Sequence, residues 1–69
     1  MMIEKIELSR SCDDRVNARF VRSSKFAAMP VARGYDSWST GSREQKVKQA
    51  IDGLHGLYPD VPRGLPVAW

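Results

Sequence analysis

The chain of 69 residues has one cysteine, Cys12, and one histidine, His55. A lone cysteine cannot form an internal disulfide, and one cysteine with one histidine is too few for a zinc site. We therefore expect neither a metal nor a cofactor. The unpaired thiol fits a reducing compartment, and the acidic residues near the N-terminus do not fit a signal peptide. We therefore expect a cytoplasmic protein.

Long apolar runs and catalytic motifs are also missing. No window approaches the roughly 20 apolar residues that a membrane-spanning helix needs. The adjacent carboxylates Asp13 and Asp14 diverge on a strand or a helix, so they fit a turn better than an acid–base pair. Cys12 and His55 lack a third group that would orient a catalytic pair. We therefore expect a protein that is not an enzyme and has no membrane partner.

The small size of the chain limits its stability. A domain of this length buries only about 60% of the surface that its unfolded chain exposes, so its core contributes little stability. Because neither a disulfide nor a metal is available to stabilise the fold further, we expect self-association as a homodimer.

The stretch from Ser42 to Pro59 carries the signals of a helix. Ser42, followed three residues later by Gln45, matches a capping box. Apolar residues then recur at helical spacing, at Val47, Ala50, Ile51 and Leu54. The opposite, polar side is expected to carry Lys46, Lys48, Gln49 and Asp52.

Two glycines weaken the end of this helix. Gly53 lies inside the apolar pattern, where glycine costs roughly 1 kcal/mol relative to alanine. Gly56 is suited to the left-handed residue that ends a helix, and Pro59 prevents the helix from resuming. The pattern predicts a helix over residues 43–55.

The N-terminal half is expected to form a β-hairpin. In residues 2–9, Ile6 and Leu8 alternate with polar neighbours, which favours a strand, whereas Ile3 is out of phase and fits a helix that places it beside Ile6. The polar residues 9–14 favour a turn. The residue spacing in residues 15–26 fits two periods, that of a strand and that of a helix with its arginines along one side. Their β-branched and aromatic content favours a strand that pairs with the first one.

The remaining segments are expected to be extended. Pro30 excludes a helix interior, so residues 29–32 are predicted to form a short edge strand. Residues 34–41 are predicted to be a loop that leads into the helix cap. Residues 59–69 contain three prolines and form an apolar, polyproline-like tail.

These elements predict an α+β fold. A short N-terminal hairpin, with or without a third edge strand, would pack on one C-terminal amphipathic helix. Residues 1–58 would be a single small domain and residues 59–69 a proline-rich tail. The alternative is a mostly α fold, a two-helix hairpin whose first helix spans residues 14–29.

Basic residues cluster between residues 15 and 33, where no carboxylate occurs. The cluster consists of Arg15, Arg19, Arg22, Lys25 and Arg33. Such asymmetry indicates an anionic partner, either nucleic acid or an acidic protein surface. It also fits the solvated face of an ordinary hairpin, and a net charge of +3 is low for a dedicated nucleic-acid-binding protein.

Three aromatic side chains are candidates for contact with a partner protein, namely Tyr35, Trp38 and Trp69. Tryptophan and tyrosine are frequent anchors of protein interfaces. Trp38 is expected in the core, because a small domain needs every large side chain, whereas Trp69 fits the core and the surface equally.

The leading hypothesis is a non-enzymatic binding module that docks on another protein and modulates it as an accessory or inhibitor. No motif identifies a family, but the small size and the absence of catalytic motifs are reminiscent of accessory proteins that phages and mobile elements encode. The alternative is a nucleic-acid-binding protein that uses the basic segment 15–33. A third hypothesis is that the proline-rich tail binds an aromatic groove on a partner.

Overall fold

The computed structural model describes residues 3–11, 14–23, 29–31 and 33–69. Its elements in chain order are β1 (Ile3–Arg10), β2 (Val16–Arg22), β3 (Met29–Pro30), β4 (Tyr35–Asp36), α1 (Arg43–Leu57) and β5 (Val67–Ala68). The five strands form one sheet, and α1 packs on one of its faces. The predicted α+β class is confirmed, and the mostly α alternative is wrong.

The hairpin of β1 and β2 is the centre of the sheet. The strands are antiparallel, and their register places Ile6 opposite Phe20 and Leu8 opposite Ala18. All four of these side chains are buried against α1. Residues 16–22 therefore form a strand, as predicted, because only a two-residue period puts Val16, Ala18 and Phe20 on one face.

The other edge of β2 carries two short strands. β3 pairs with its C-terminal end, where Pro30 faces Val21. β4 pairs with its N-terminal end, where Tyr35 faces Ala18. The predicted edge strand is thus confirmed at Met29–Pro30, but the loop predicted over residues 34–41 contains a strand. The ladder partner supplied by β2 extends Tyr35–Asp36, which is too short for periodicity to reveal.

β5 joins the sheet at the opposite edge, beside β1. The two strands are parallel, and the backbone N–H of Ile6 donates to the carbonyl of Pro66 at 2.8 Å. Leu65, just before β5, packs against the core cluster. The end of the proline-rich segment thus lies in the same sheet as the N-terminal hairpin.

The capping box at the start of α1 is present. The Gln45 N–H donates to Ser42 Oγ at 3.2 Å, and the Ser42 N–H donates to Gln45 Oε1 at 2.9 Å. The helix continues through Gly56 to Leu57, so the predicted left-handed stop at Gly56 is wrong. The extra length brings Tyr58, the C-cap residue, edge-on to Phe20 with ring centroids 5.7 Å apart.

The buried side of α1 is rotated from the predicted apolar stripe. Ala50 and Leu54 are buried as expected, but Val47 and Ile51 are only partly buried. Lys46, predicted on the polar side, is 9% exposed. Its ammonium donates to the Asp14 carbonyl oxygen at 2.9 Å and lies 3.4 Å from the Asp14 carboxylate, so it fastens α1 to the hairpin turn. This contact turns Val47 and Ile51 towards the edge of the core.

At Gly53, α1 packs on the sheet with the aromatic ring of Tyr35 between them. A Cβ atom added at Gly53 would overlap three atoms of the Tyr35 ring. Tyr35 is itself half-buried and packs against the core. Glycine is therefore required at this helical position, because the ring occupies the space of a side chain.

Candidate docking surface

Trp38 presents an exposed ring on a fixed backbone. Its N–H donates to Gln49 Oε1, and its carbonyl accepts a hydrogen bond from Ser37 Oγ at 3.0 Å. Ser37 is buried and exchanges two further bonds with Val16, from the Val16 N–H to Ser37 Oγ and from the Ser37 N–H to the Val16 carbonyl, each 2.8 Å long. The indole nevertheless remains 63% exposed. The expectation that Trp38 lies in the core is therefore wrong.

Trp69 is the second exposed tryptophan, and it too has a defined neighbour. It follows β5 directly and is 57% exposed. The guanidinium carbon of Arg43, the first residue of α1, lies 4.6 Å from the centroid of its ring. This cation–π contact orients the indole beside the helix.

A groove of about 700 Å³ runs between α1 and Trp69. This shallow, open groove is lined by the partly buried Val47 and Ile51 and by the exposed Trp69. Its rim is charged and alternates in sign, with Arg43, Glu44, Lys48 and Asp52. Val47 and Ile51 can line the groove because they are only partly buried at the edge of the core.

A second groove, of about 430 Å³, lies on the other side of α1 beside Trp38. Its lining consists of Trp38, Thr40, Gly41, Gln45, Lys48, Gln49 and Asp52. Lys48 and Asp52 line both grooves, so they form the ridge between the two tryptophans. We call this surface, comprising Trp38, Trp69 and the helical residues between them, the tryptophan face.

The structure separates the three aromatic candidates. Trp38 and Trp69 flank α1 and are both exposed. Tyr35 instead packs on the core at Gly53, so its ring has a structural role. The three residues could not be distinguished from the sequence, because the sequence does not show which side of the connecting segment faces the helix.

The basic residues of segment 15–33 do not share one surface among the described residues. Arg19 lies on the face of the sheet opposite α1, with its Nε 3.7 Å from a carboxylate oxygen of Glu7. Arg22 is three residues further along β2, so its side chain points to the other face. Arg33 is exposed before β4, where its carbonyl accepts a hydrogen bond from Tyr58. Lys25 lies outside the described residues.

Arg15 lines a pocket of about 420 Å³ beside Ser37 and Trp38, and it also lines a smaller pocket that the sequence did not indicate. The smaller pocket has a volume of about 160 Å³ and is lined by Arg10, Asp14, Arg15, Val16, Arg43, Lys46 and Trp69. Arg10 and Arg43 were missed because both lie outside the basic segment. The hairpin turn and the start of α1 bring them together, and no local pattern reports that contact.

Metal ligands do not cluster in the part of the chain that the structure describes, where no group of three His, Cys, Asp or Glu side chains comes together. Cys12 and Asp13 lie outside that part. His55 is buried, with its Nδ1 3.1 Å from the Ile51 carbonyl oxygen and its ring edge-on to Phe20 at 5.3 Å between centroids. It is a core residue. Within the described ranges, no helix is both long enough and apolar enough to cross a bilayer.

Comparison with known proteins gives no match. No family model matches the sequence, no curated protein is significantly similar to it, and no solved structure matches its fold. Function must therefore be inferred from the chain's own residues.

Proposed function

We propose that this protein is a non-enzymatic binding module that docks on another protein through the tryptophan face and modulates that partner. One observation carries the proposal. Both peptide groups of Trp38 are held by hydrogen bonds, yet its large apolar ring is left in solvent. A fold that needed Trp38 only for stability would bury the ring.

A fixed backbone favours binding because the ordering of a loop is part of the cost of association. The bonds from Ser37 to Val16 and from Gln49 to Trp38 are already made in the free protein. A partner that accepts the indole would therefore order little more than the side chain itself. Tryptophan is also among the residues most often found as energetic anchors of interfaces.

The groove beside Trp69 has the anatomy of an interface on a small scale. Its lining combines apolar and aromatic side chains with four charged ones. Interfaces commonly combine a desolvated apolar centre with a polar rim, and the rim determines orientation and partner choice. The partner expected here is a protein that offers an apolar side chain to Val47 and Ile51 and paired charges to the rim.

The proposed setting is that of a cytoplasmic accessory or inhibitor protein, of the kind that phages or mobile elements encode. We also propose that the protein forms a homodimer, because its core is small and a second copy would add buried surface. Sedimentation equilibrium at micromolar concentration tests this part separately. A monomer mass over the whole concentration range would contradict it.

Nucleic-acid binding through the basic segment remains the alternative, with less support. Of its five basic residues, Arg19 and Arg22 point to opposite faces of the sheet, and Arg19 lies beside Glu7. This alternative predicts binding that weakens steeply as the salt concentration rises. It also predicts that Arg19→Ala combined with Arg22→Ala abolishes binding.

Affinity capture from the native host distinguishes the two functions. The baits are the wild type, Trp38→Ala, Trp69→Ala and the control Met29→Ala, and each is used in lysate with and without nuclease. Met29 is a matched control because it is 56% exposed and lies on β3, away from α1. We expect one protein that the wild type and Met29→Ala retain and that both tryptophan variants lose, with or without nuclease. Capture that nuclease abolishes, or that all four baits share, would contradict the proposal.

A further inference from the structure

The strongest unassigned feature is the pocket where three arginines meet. Arg10 ends β1, Arg15 immediately precedes β2, and Arg43 begins α1. Lys46 links α1 to the turn between the two strands, because its ammonium donates to the Asp14 carbonyl oxygen. We propose that this pocket binds a phosphate group.

The charge of the pocket is unbalanced among the described residues. Its lining has four basic side chains and one acidic side chain, Asp14. The Asp14 carboxylate is already 3.4 Å from the Lys46 ammonium. The three guanidiniums form no ion pair with any residue that the structure describes. Like charges held together in this way favour a bound anion.

Arg15, one of the arginines that line the pocket, has an enclosed donor without an acceptor. The Nε atom of Arg15 is shielded from solvent and has no hydrogen-bond partner within the described part of the chain. Buried polar groups are almost always hydrogen-bonded, so such an atom needs an explanation. An oxyanion in the pocket would offer acceptors to the guanidinium group of Arg15.

The arrangement of Arg43 also suits an oxyanion. Its guanidinium carbon lies over the Trp69 ring, 4.6 Å from the ring centroid, and its N–H groups form no ion pair among the described residues. The guanidinium fork matches two oxygens of a phosphate, which a lysine ammonium cannot do. Arg43 also opens α1, where the helix dipole favours negative charge.

The volume limits the ligand to a small group. At about 160 Å³, the pocket is smaller than the roughly 300–1,000 Å³ of sites for drug-sized molecules. A phosphate group fits this limit, with the remainder of any organic ligand outside the pocket and next to Trp69. Free phosphate and a phosphate monoester offer the same chemistry, and the experiment separates them.

The experiment uses fluorescence of Trp69 in a Trp38→Phe background, where Trp69 is the single tryptophan. Inorganic phosphate, phenyl phosphate, dimethyl phosphate and acetate are titrated at constant ionic strength. We expect saturable binding of the first two ligands only. Tighter binding of phenyl phosphate would identify an organic monoester as the ligand class, and equal binding would identify free phosphate.

Matched variants test which residues are responsible. Arg15→Gln and Arg43→Gln should each raise the dissociation constant for phosphate at least tenfold. Arg63→Gln removes the same charge from a side chain that pairs with Asp52 outside the pocket, and it should leave the constant unchanged. Circular dichroism checks that each variant is folded. If a glutamine variant is not folded, Arg15→Lys is measured in its place, because lysine keeps the positive charge and lacks the guanidinium fork. Absence of saturation, equal binding of acetate or dimethyl phosphate, or wild-type affinity in both glutamine variants would overturn the proposal.

Discussion

Gly53→Ala is the substitution whose outcome depends most on the contact between α1 and the sheet. Helix propensity alone predicts that this change stabilises the protein by about 1 kcal/mol, since Gly53 lies in the interior of α1. The structure predicts the opposite sign. The new methyl group would overlap the Tyr35 ring, which packs between the helix and β2.

The magnitude follows from two opposing terms. Forcing an extra methyl into a packed site typically costs about 1–3 kcal/mol in strain and displaced side chains. Here the overlap involves three ring atoms, so the upper part of that range applies. After subtraction of the gain in propensity, of about 1 kcal/mol, Gly53→Ala should lower the free energy of unfolding by about 1–2 kcal/mol.

Urea denaturation, followed by circular dichroism, measures this difference. Gly56→Ala is the matched control, because Gly56 also lies in α1 and a Cβ there would meet nothing within 4 Å. It should stabilise the protein by about 0.5–1 kcal/mol. In a Tyr35→Ala background, Gly53→Ala should become stabilising as well. If Gly53→Ala matched Gly56→Ala in the wild-type background, the packing of Tyr35 on Gly53 would be refuted.

Two further substitutions test contacts that fix the tryptophan face. Ser37→Ala removes the side-chain acceptor of the buried Val16 N–H and should cost about 1–3 kcal/mol in urea denaturation, whereas Ser39→Ala, at an exposed site, should stay within about 0.5 kcal/mol. Lys46→Ala removes the buried link to the hairpin turn and should cost about 1.5–3 kcal/mol, against less than about 0.5 kcal/mol for the exposed Lys48→Ala. Equal losses within either pair would contradict the assigned contacts.

The elements that local chemistry determines were predictable from the sequence. Ser42 and Gln45 form the expected capping box, and both hydrogen bonds of the box are present. The β-branched and aromatic content of residues 15–26 correctly favoured a strand over a helix where the spacing fitted both, and Val16, Ala18 and Phe20 lie on its buried face. Both signals concern residues within a few positions of one another, so no knowledge of the rest of the fold is needed.

The features that build the site depend on contacts between distant segments. Lys46 looks like a surface residue by periodicity, but the carbonyl of Asp14, far away in sequence, makes its burial favourable. Trp38 looks like a core residue by composition, but Ser37 is buried in its place. In both cases a specific tertiary hydrogen bond overrides the general preference of the residue type.

The same reasoning explains why the pocket lined by Arg10, Arg15 and Arg43 was not predicted. Counting charges along the chain selects segment 15–33, whereas folding joins Arg15 to Arg10 and Arg43. The hairpin register and the position of α1 decide that grouping. Neither is encoded in the spacing of the basic residues.

The central claim is that Trp38 anchors a protein partner, and calorimetric titration of the captured partner tests it most directly. Trp38→Ala should weaken binding by at least about 2 kcal/mol, or roughly 30-fold in the dissociation constant. The variant should retain its stability to within about 0.5 kcal/mol, because the ring is exposed. Met29→Ala should bind as the wild type does. Equal affinities of Trp38→Ala, Met29→Ala and the wild type would contradict the claim.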